Sequence, residues 1–474
     1  MRMTVHGKKW IREQERFHGI FDKENYKDGI FCRRIPLSSL PVYSECREYV
    51  SQALDAGLDG TQTEAFEAEL SQYMGLKYAI AVSSGDVALT LALRLAAEKL
   101  YGSSSGIYTP EGPGCGGSLK GKKVFCPDLS AADMVNPVVF EGGEPVFIDS
   151  SDEGFGWAMS PEVLSMAFIK YPDTKIVIMN HPYGFPGDAL QIRKICFEHG
   201  ALLIECVGEV LGASYWIPQK NEDGGIWSRT GTLGDYCVLD FEKEKALDTT
   251  GGAILTRSYY ESEKVRYWAD GAQADTPWNQ HEELGRHCLM SELDAALFRG
   301  RLAHMDEILG KKKAIYERYA EKLDSTMAYV IPVGEDTEPS YWMTCMTVES
   351  NLQFLETRDD RNYTYKDLHG TAAPMEIYDA LQAFHADCKP VYKPMSMQPA
   401  YKNSERFTLD GPWRMYEDFR HDNYSLRCDL AKEYYETGLV LPSDISMTEE
   451  EQDRIMDVIY ACYDKPDLMR SHIL

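Results

Sequence analysis

Two features of this 474-residue chain predict a layered α/β large domain with a mainly parallel sheet, joined to a smaller C-terminal α+β domain. Between about residues 76 and 256, short apolar runs alternate with amphipathic stretches of helical period, the pattern of strands buried on both faces and packed under helices. Near Ser291 the pattern changes to long helical periodicity broken by isolated strands and polar loops. The divisions read from this are an N-terminal extension over 1–34, a large domain over 35–290 and a small domain over 291–474.

The strand runs are Tyr78–Val82, Val124–Cys126, Val146–Ile148, Ile176–Met179, Leu202–Ile204, Cys237–Leu239 and Ala253–Leu255. Each is short, rich in Val and Ile, and lacks the alternation of a half-exposed strand. Helical stretches such as Val87–Leu100 and Asp188–His199 lie between them, the second closed by Gly200 in a C-cap position. Ser291, with Asp294 three residues on, caps a helical run from Leu293 to Leu323. Thr448 and Glu451 form a capping box ahead of Ile455, Val458, Ile459 and Cys462, so an amphipathic helix closes the chain. Tyr329–Pro332 and Met343–Val348 read as strands of the small domain. Gly102–Lys123, Gln219–Arg229 and Asn403–Pro412 read as loops. The stretch GGSLKGK (116–122) resembles a phosphate-binding loop, but Lys123 stands where Ser or Thr would hold magnesium, and it precedes its strand.

Lys and Arg number 49 against 75 Asp and Glu, a net charge of −26, which opposes binding to nucleic acid or to an anionic membrane surface. No apolar run approaches the ~18 residues of a spanning helix, and the charged first 17 residues lack the apolar centre of a secretory signal. The twelve cysteines are scattered, with no CxxC pair, and several fall in apolar patterns (Cys196, Cys237, Cys462). Reduced thiols and a soluble cytoplasmic protein are expected.

Three segments fall at strand ends, where open α/β sheets bind ligands. They are YAIAVSSGDVAL (78–89), ALLIECVGEVLGA (201–213) and GTLGDYCVLDFEKEKALDTTGGAIL (231–255). Together with PVFIDSSDEGFGWAMSPE, NHPYGFPGDALQIRKICFEHGALLIE, LMSELDAAL, KPMSMQPAYKN and GLVLPSDISMTEEE, they make the chain resemble the DegT/DnrJ/StrS family of nucleotide-sugar aminotransferases. Members are fold type I enzymes that use pyridoxal phosphate (PLP). The resemblance runs from about Ile35 to Ile459, with insertions near 100–121, 216–229, 350–372 and 404–424.

The resemblance implies roles for particular residues. Lys245 falls at the Schiff-base position and Glu209 near the cofactor's phenolic oxygen. Ser84 and Gly85 open the helix that cradles the phosphate. Other positions carry a different residue from the family. Cys206 replaces the Asp that keeps the pyridine nitrogen protonated, and Ala131 replaces the aromatic stacked on the ring. Asp86 and Asp240 stand where Thr and Ser hold the phosphate. His287 replaces an Asn lent by the neighbouring subunit, Leu289 an Arg, and Ser396 the His of the family's MHLQP-like motif. A carboxylate against a phosphate at ~4 Å costs roughly 4 kcal/mol at an effective dielectric near 20. The expectation is a homologue with an altered cofactor pocket, in which Asp240 pairs with Lys245 and the chain serves as a binding or partner subunit. The alternative is an active PLP-dependent aminotransferase converting a nucleotide-linked 4-keto sugar to an amino sugar. The resemblance also implies a homodimer with shared pockets; association with an active homologous subunit stays open.

Overall fold

A computed structural model describes residues 33–102, 117–151, 156–219, 224–241, 250–348, 356–366, 370–413 and 429–464. The seven predicted runs all form strands, each extended by up to two residues at an end. In chain order these are β1 (Tyr78–Val82), β2 (Lys123–Pro127), β3 (Glu144–Ile148), β4 (Ile176–Asn180) and β5 (Leu202–Cys206). After β6 (Ser214–Pro218) and β7 (Gly225–Arg229), which belong to a side sheet, come β8 (Tyr236–Asp240) and β9 (Gly252–Thr256). The C-terminal third adds β10 (Ala328–Val330), β11 (Thr337–Glu338), β12 (Cys345–Val348), β13 (Glu356–Arg358), β14 (Tyr363–Tyr365), β15 (Lys389–Pro390), β16 (Glu405–Thr408), β17 (Gly411–Trp413) and β18 (Gly438–Val440).

The large sheet runs β1-β9-β8-β5-β4-β2-β3-β16-β17. Strands β8, β5, β4, β2, β3 and β16 pair in parallel; β9 is antiparallel to both its neighbours and β17 to β16. Alternate residues of one strand enter different cores. Val124 and Cys126 of β2 pack with Leu91 and Leu95 on one face, while Phe125 packs with Phe168 and Ile192 on the other. Both faces are therefore dry, which is why these strands read as unbroken apolar runs. Each such side chain contributes roughly 1.5–3 kcal/mol on burial.

The helices are α1 (Ser44–Asp55), α2 (Thr61–Met74), α3 (Gly85–Tyr101), α4 (Asn136–Phe140), α5 (Pro161–Lys170), α6 (Ala189–Glu198), α7 (Tyr259–Ala269), α8 (Glu292–Leu302), α9 (Met305–Lys322), α10 (Pro374–Ala383), α11 (Leu430–Thr437) and α12 (Glu449–Asp464). The predicted caps form. Ser291 Oγ accepts from Asp294 N (3.2 Å), and Thr448 and Glu451 exchange both capping-box bonds, at 2.9 and 3.2 Å. Gly200, at φ +59°, follows α6 and turns the chain into β5.

Three expectations are corrected. The run Leu293–Leu323 is two helices, because His304 at the junction stacks on Tyr43 (3.8 Å, 4° between planes) and bonds Glu45, which holds the break open. Within Gln219–Arg229, residues 225–229 form β7, paired along β6. Asn403–Pro412 is not a loop: β16 extends the large sheet beside β3, with Arg406 opposite Phe147, and β17 folds back with Pro412 opposite Phe407. Of Gly102–Lys123, residues 103–116 lie outside the described residues. Cys196, Cys237 and Cys462 are buried as expected. Among the described residues no helix is long and apolar enough to cross a membrane.

Candidate active site

The carboxyl ends of β1, β2, β4, β5 and β8 converge along one edge of the large sheet, and nearly every residue singled out from the sequence lies there. Val82 and Asp240 both pair with Gly252, so the ends of β1 and β8 flank the start of β9. Gly252 lets these strands approach: a methyl there would come within 2.5 Å of the Ser84 carbonyl carbon.

Helix α3 begins at this edge, with Ser84 as its N-cap. The amides of its first turn and the helix dipole make the spot attractive to an anion. Two carboxylates of the chain itself lie close to it. Asp86 sits in the first turn and accepts a hydrogen bond from Ser84 Oγ. Asp240, buried at 8% exposure, lies directly on Gly85: a methyl on Gly85 would come within 2.6 Å of Asp240 Cγ. From the other side, a methyl on Gly208 would lie 3.0 Å from Asp240 Cβ. The aspartate is thus clasped between two glycines, at the mouth of a helix N-terminus. Lys243 and Lys245 lie outside the described residues, and with them the proposed Asp240–Lys245 pair.

Cys206 ends β5, buried beside Asn180 in the parallel register of β4. Asn180 Nδ2 donates to Leu129 O (3.0 Å), while its Oδ1 is buried without a donor among the described residues. Ala131, partly exposed, caps a short 3-10 turn and offers no ring. Ser396 is buried and donates both its amide (2.8 Å) and its hydroxyl (2.9 Å) to Asp128 at the end of β2.

Glu209 is fully engaged with its own chain. It accepts from Tyr183 N (2.8 Å) and from Tyr392 Oη (3.1 Å). Burial raises the Tyr392 phenol well above its usual range, and the neighbouring glutamate adds to the effect, so the phenol stays a donor. Tyr183 adopts φ +58° to make its bond, an uncommon conformation for a bulky residue. Its ring stacks on Tyr392 (5.0 Å) and lies parallel to Trp342 (6.3 Å).

His287 departs from the rest. Its side chain is 80% exposed, with Nδ1 3.6 Å from Asp270, on a segment that makes isolated bridges to Asp270 at His287 and to Val82 at Leu289.

Sequence reasoning missed the buried pair that holds this edge together. His181 Nδ1 accepts from Gly187 N (2.9 Å), so Nε2 carries the proton and donates to Glu205 Oε1 (3.1 Å). Glu205 also accepts from Gly231 N (2.7 Å) and Gly234 N (2.8 Å), fixing the turn that leads into β8. The signal was present in the NHPYG and LLIEC segments, which place a His and a Glu at adjacent strand ends.

Comparison with known proteins follows the same scaffold. The sequence pattern of the DegT/DnrJ/EryC1/StrS aminotransferase family matches residues 43–460. EpsN of Bacillus subtilis (strain 168) is 27% identical over 436 residues, covering 90% of this chain and 95% of that protein. A GDP-perosamine synthase of Escherichia coli O157:H7 is 25% identical over 432 residues, covering 89% and 96%. Among solved structures, DesV of Streptomyces venezuelae, in complex with a ketimine intermediate, superposes with a TM-score of 0.68 at 22% identity, covering 90% of this chain and 98% of that one, a likeness of fold.

Proposed function

This chain belongs to the DegT/DnrJ/EryC1/StrS aminotransferase family, and we propose that it binds a nucleotide-linked sugar in a pocket that no longer holds PLP in the family's way. One observation carries this reading: Asp240 lies on Gly85 at the N-terminus of α3, where relatives would seat a phosphate. A dianionic phosphate fits poorly beside Asp240 and Asp86, and the protein's own carboxylates already meet the helix dipole. The rest of the cradle agrees. A thiol at Cys206 cannot hold the ring nitrogen protonated as a carboxylate does, and Ala131 presents no ring face. Glu209 is spent on Tyr183 and Tyr392. In this reading the chain works as a binding or partner subunit, and the exposure of His287 supports contact with a second copy or a homologous subunit.

A second reading, active transamination of a nucleotide-linked 4-keto sugar, is favoured by a different observation. The matched relatives extend over nearly their whole length, one of them a GDP-perosamine synthase, and the sequence keeps Lys245. One experiment separates the two. PLP is added to the purified chain, the visible absorbance recorded, the mixture reduced with borohydride and the label mapped. The proposal expects no adduct at Lys245. A stable adduct there, with amino transfer from glutamate to a nucleotide-linked keto sugar, overturns it in favour of transamination.

A further inference from the structure

Arg406 is 1% exposed and arrives at the large sheet on β16, from the segment near 404–424 that the family resemblance marks as an insertion. Three carboxylates surround it. Asp128 Oδ2, at the end of β2, lies 2.6 Å from Nε. Asp149 Oδ1, just past β3, accepts from Nη2 at 3.3 Å. Asp429, the N-cap of α11, accepts from both Nη1 (2.8 Å) and Nη2. Asp128 and Asp149 are themselves fully buried. Among the described residues, one guanidinium against three carboxylates leaves an excess of negative charge away from water, which is costly unless a proton is taken up.

The same residues bind together segments at the carboxyl ends of β2 and β3. Asp128 holds the amide and hydroxyl of Ser396, and its carbonyl accepts from Met395 N (2.8 Å). Asp149 accepts from Leu430 N (3.1 Å) and Ala431 N (2.9 Å), and so seats the start of α11. Among the described residues, Asp149 Oδ1 receives three donors (Ser150 N, Ala431 N and Arg406), whereas Oδ2 receives Leu430 N, which leaves a lone pair for a proton.

We infer that this cluster is a proton-linked latch: docking of β16 and α11 around Arg406 takes up one proton between the buried Asp128 and Asp149 and fixes the Ser396 turn beside the end of β2. The latch is independent of which reading of the cradle holds. Among the described residues, the groups facing Asp149 are Arg406 from β16, Asp429 from α11 and Asp128 from β2. Farther along α11, Lys432 pairs with Glu436 (3.6 Å). Burial pushes Asp149 up to about 6, and the two other aspartates oppose the lowering effect of Arg406. Burial alone would lower Arg406, but the three aspartates overcome it and keep it charged. Because the folded value lies above the ordinary one near 3.8, the proton stabilises the latch fully below that value, and the gain is lost as pH rises through about 6.

The test compares the full chain with Asp149→Asn and Arg406→Gln between pH 5 and 7.5. Hydrogen exchange, corrected for its intrinsic pH dependence, should show protection at Ser396, Leu430 and Ala431 about tenfold greater at pH 5 than at pH 7.5 in the unaltered chain. Asp149→Asn should flatten that profile, and Arg406→Gln should lose the protection. The difference between variants isolates the cluster from the general relief of repulsion on acidifying a chain of net charge −26. An Asp149→Asn profile parallel to the unaltered chain overturns the proposal. So does unchanged protection at Ser396 in Arg406→Gln. If Arg406→Gln fails to fold, the Asp149→Asn comparison decides alone.

Discussion

Asp240 and Gly85 are packed so closely that no β-carbon fits between them: one built on Gly85 would meet Asp240 Cγ at 2.6 Å. The contact joins the end of β8 to the first residue of α3. Gly85→Ala should therefore destabilise the chain by about 1–3 kcal/mol through overpacking. Asp240→Gly in the same chain should recover most of that loss. A double-mutant cycle by urea denaturation reads the coupling, and additive effects would show that the two residues do not press on each other.

Restoring the family's residues at three positions tests the electrostatic argument directly. On the proposed reading, Asp86→Thr, Cys206→Asp and Asp240→Ser together should create a PLP absorbance that the unaltered chain is expected to lack. If the triple variant still ignores the coenzyme, charge mismatch is not what excludes it, and Ala131 or the engagement of Glu209 becomes the obstacle to examine.

Glu205→Ala should be among the most damaging single changes. It strands Gly231 N, Gly234 N and His181 Nε2 without an acceptor in a fully buried place. Removing one partner from such a network costs about 3–5 kcal/mol. Equilibrium denaturation measures it, and a loss under ~1 kcal/mol would mean that the network can relax onto other groups.

At the other end of the chain, Thr448→Ala should cost about 1 kcal/mol by removing the cap of α12. Glu451, the second half of that capping box, also pairs with Arg33 at 2.6 Å through Nε. Burial acts to raise Glu451, but the bonds from Arg33 and Thr448 outweigh it and hold the carboxyl below the usual glutamate range. Its stabilising effect is thus present above the ordinary value near 4.5 and lost as pH falls through the lower folded value. Acid denaturation of Glu451→Gln against the unaltered chain should show that the variant has lost this sensitivity.

The layered α/β scaffold was legible because its strands are buried on both faces by nearby helices, so each carries its own apolar signature. Capping at Ser291, Thr448 and Gly200 was legible for a similar reason, since each acts within four residues. The β16 strand was not. Its sequence ERFT reads as polar, yet Glu405 and Arg406 are both buried. Glu405 is met by Lys170 and Tyr171, and Arg406 by Asp128, Asp149 and Asp429. Those partners lie up to 278 positions away, and no local period reports them. The break between α8 and α9 was hidden likewise, because the stacking of His304 on Tyr43 is a tertiary event. At the pocket edge, residue types could be aligned to a family, but the clasp of Asp240 between Gly85 and Gly208 appears only once three strand ends are brought together.

Among the described residues, a sheet lengthened by two strands acquires a new open border, and borders of this kind invite neighbouring molecules to add strands of their own. The last strand here is three residues long and centres on Pro412, which brings no amide hydrogen to that border. The chain thus gains the extra strand that delivers Arg406 while leaving little template for fibrous growth at crowded concentrations.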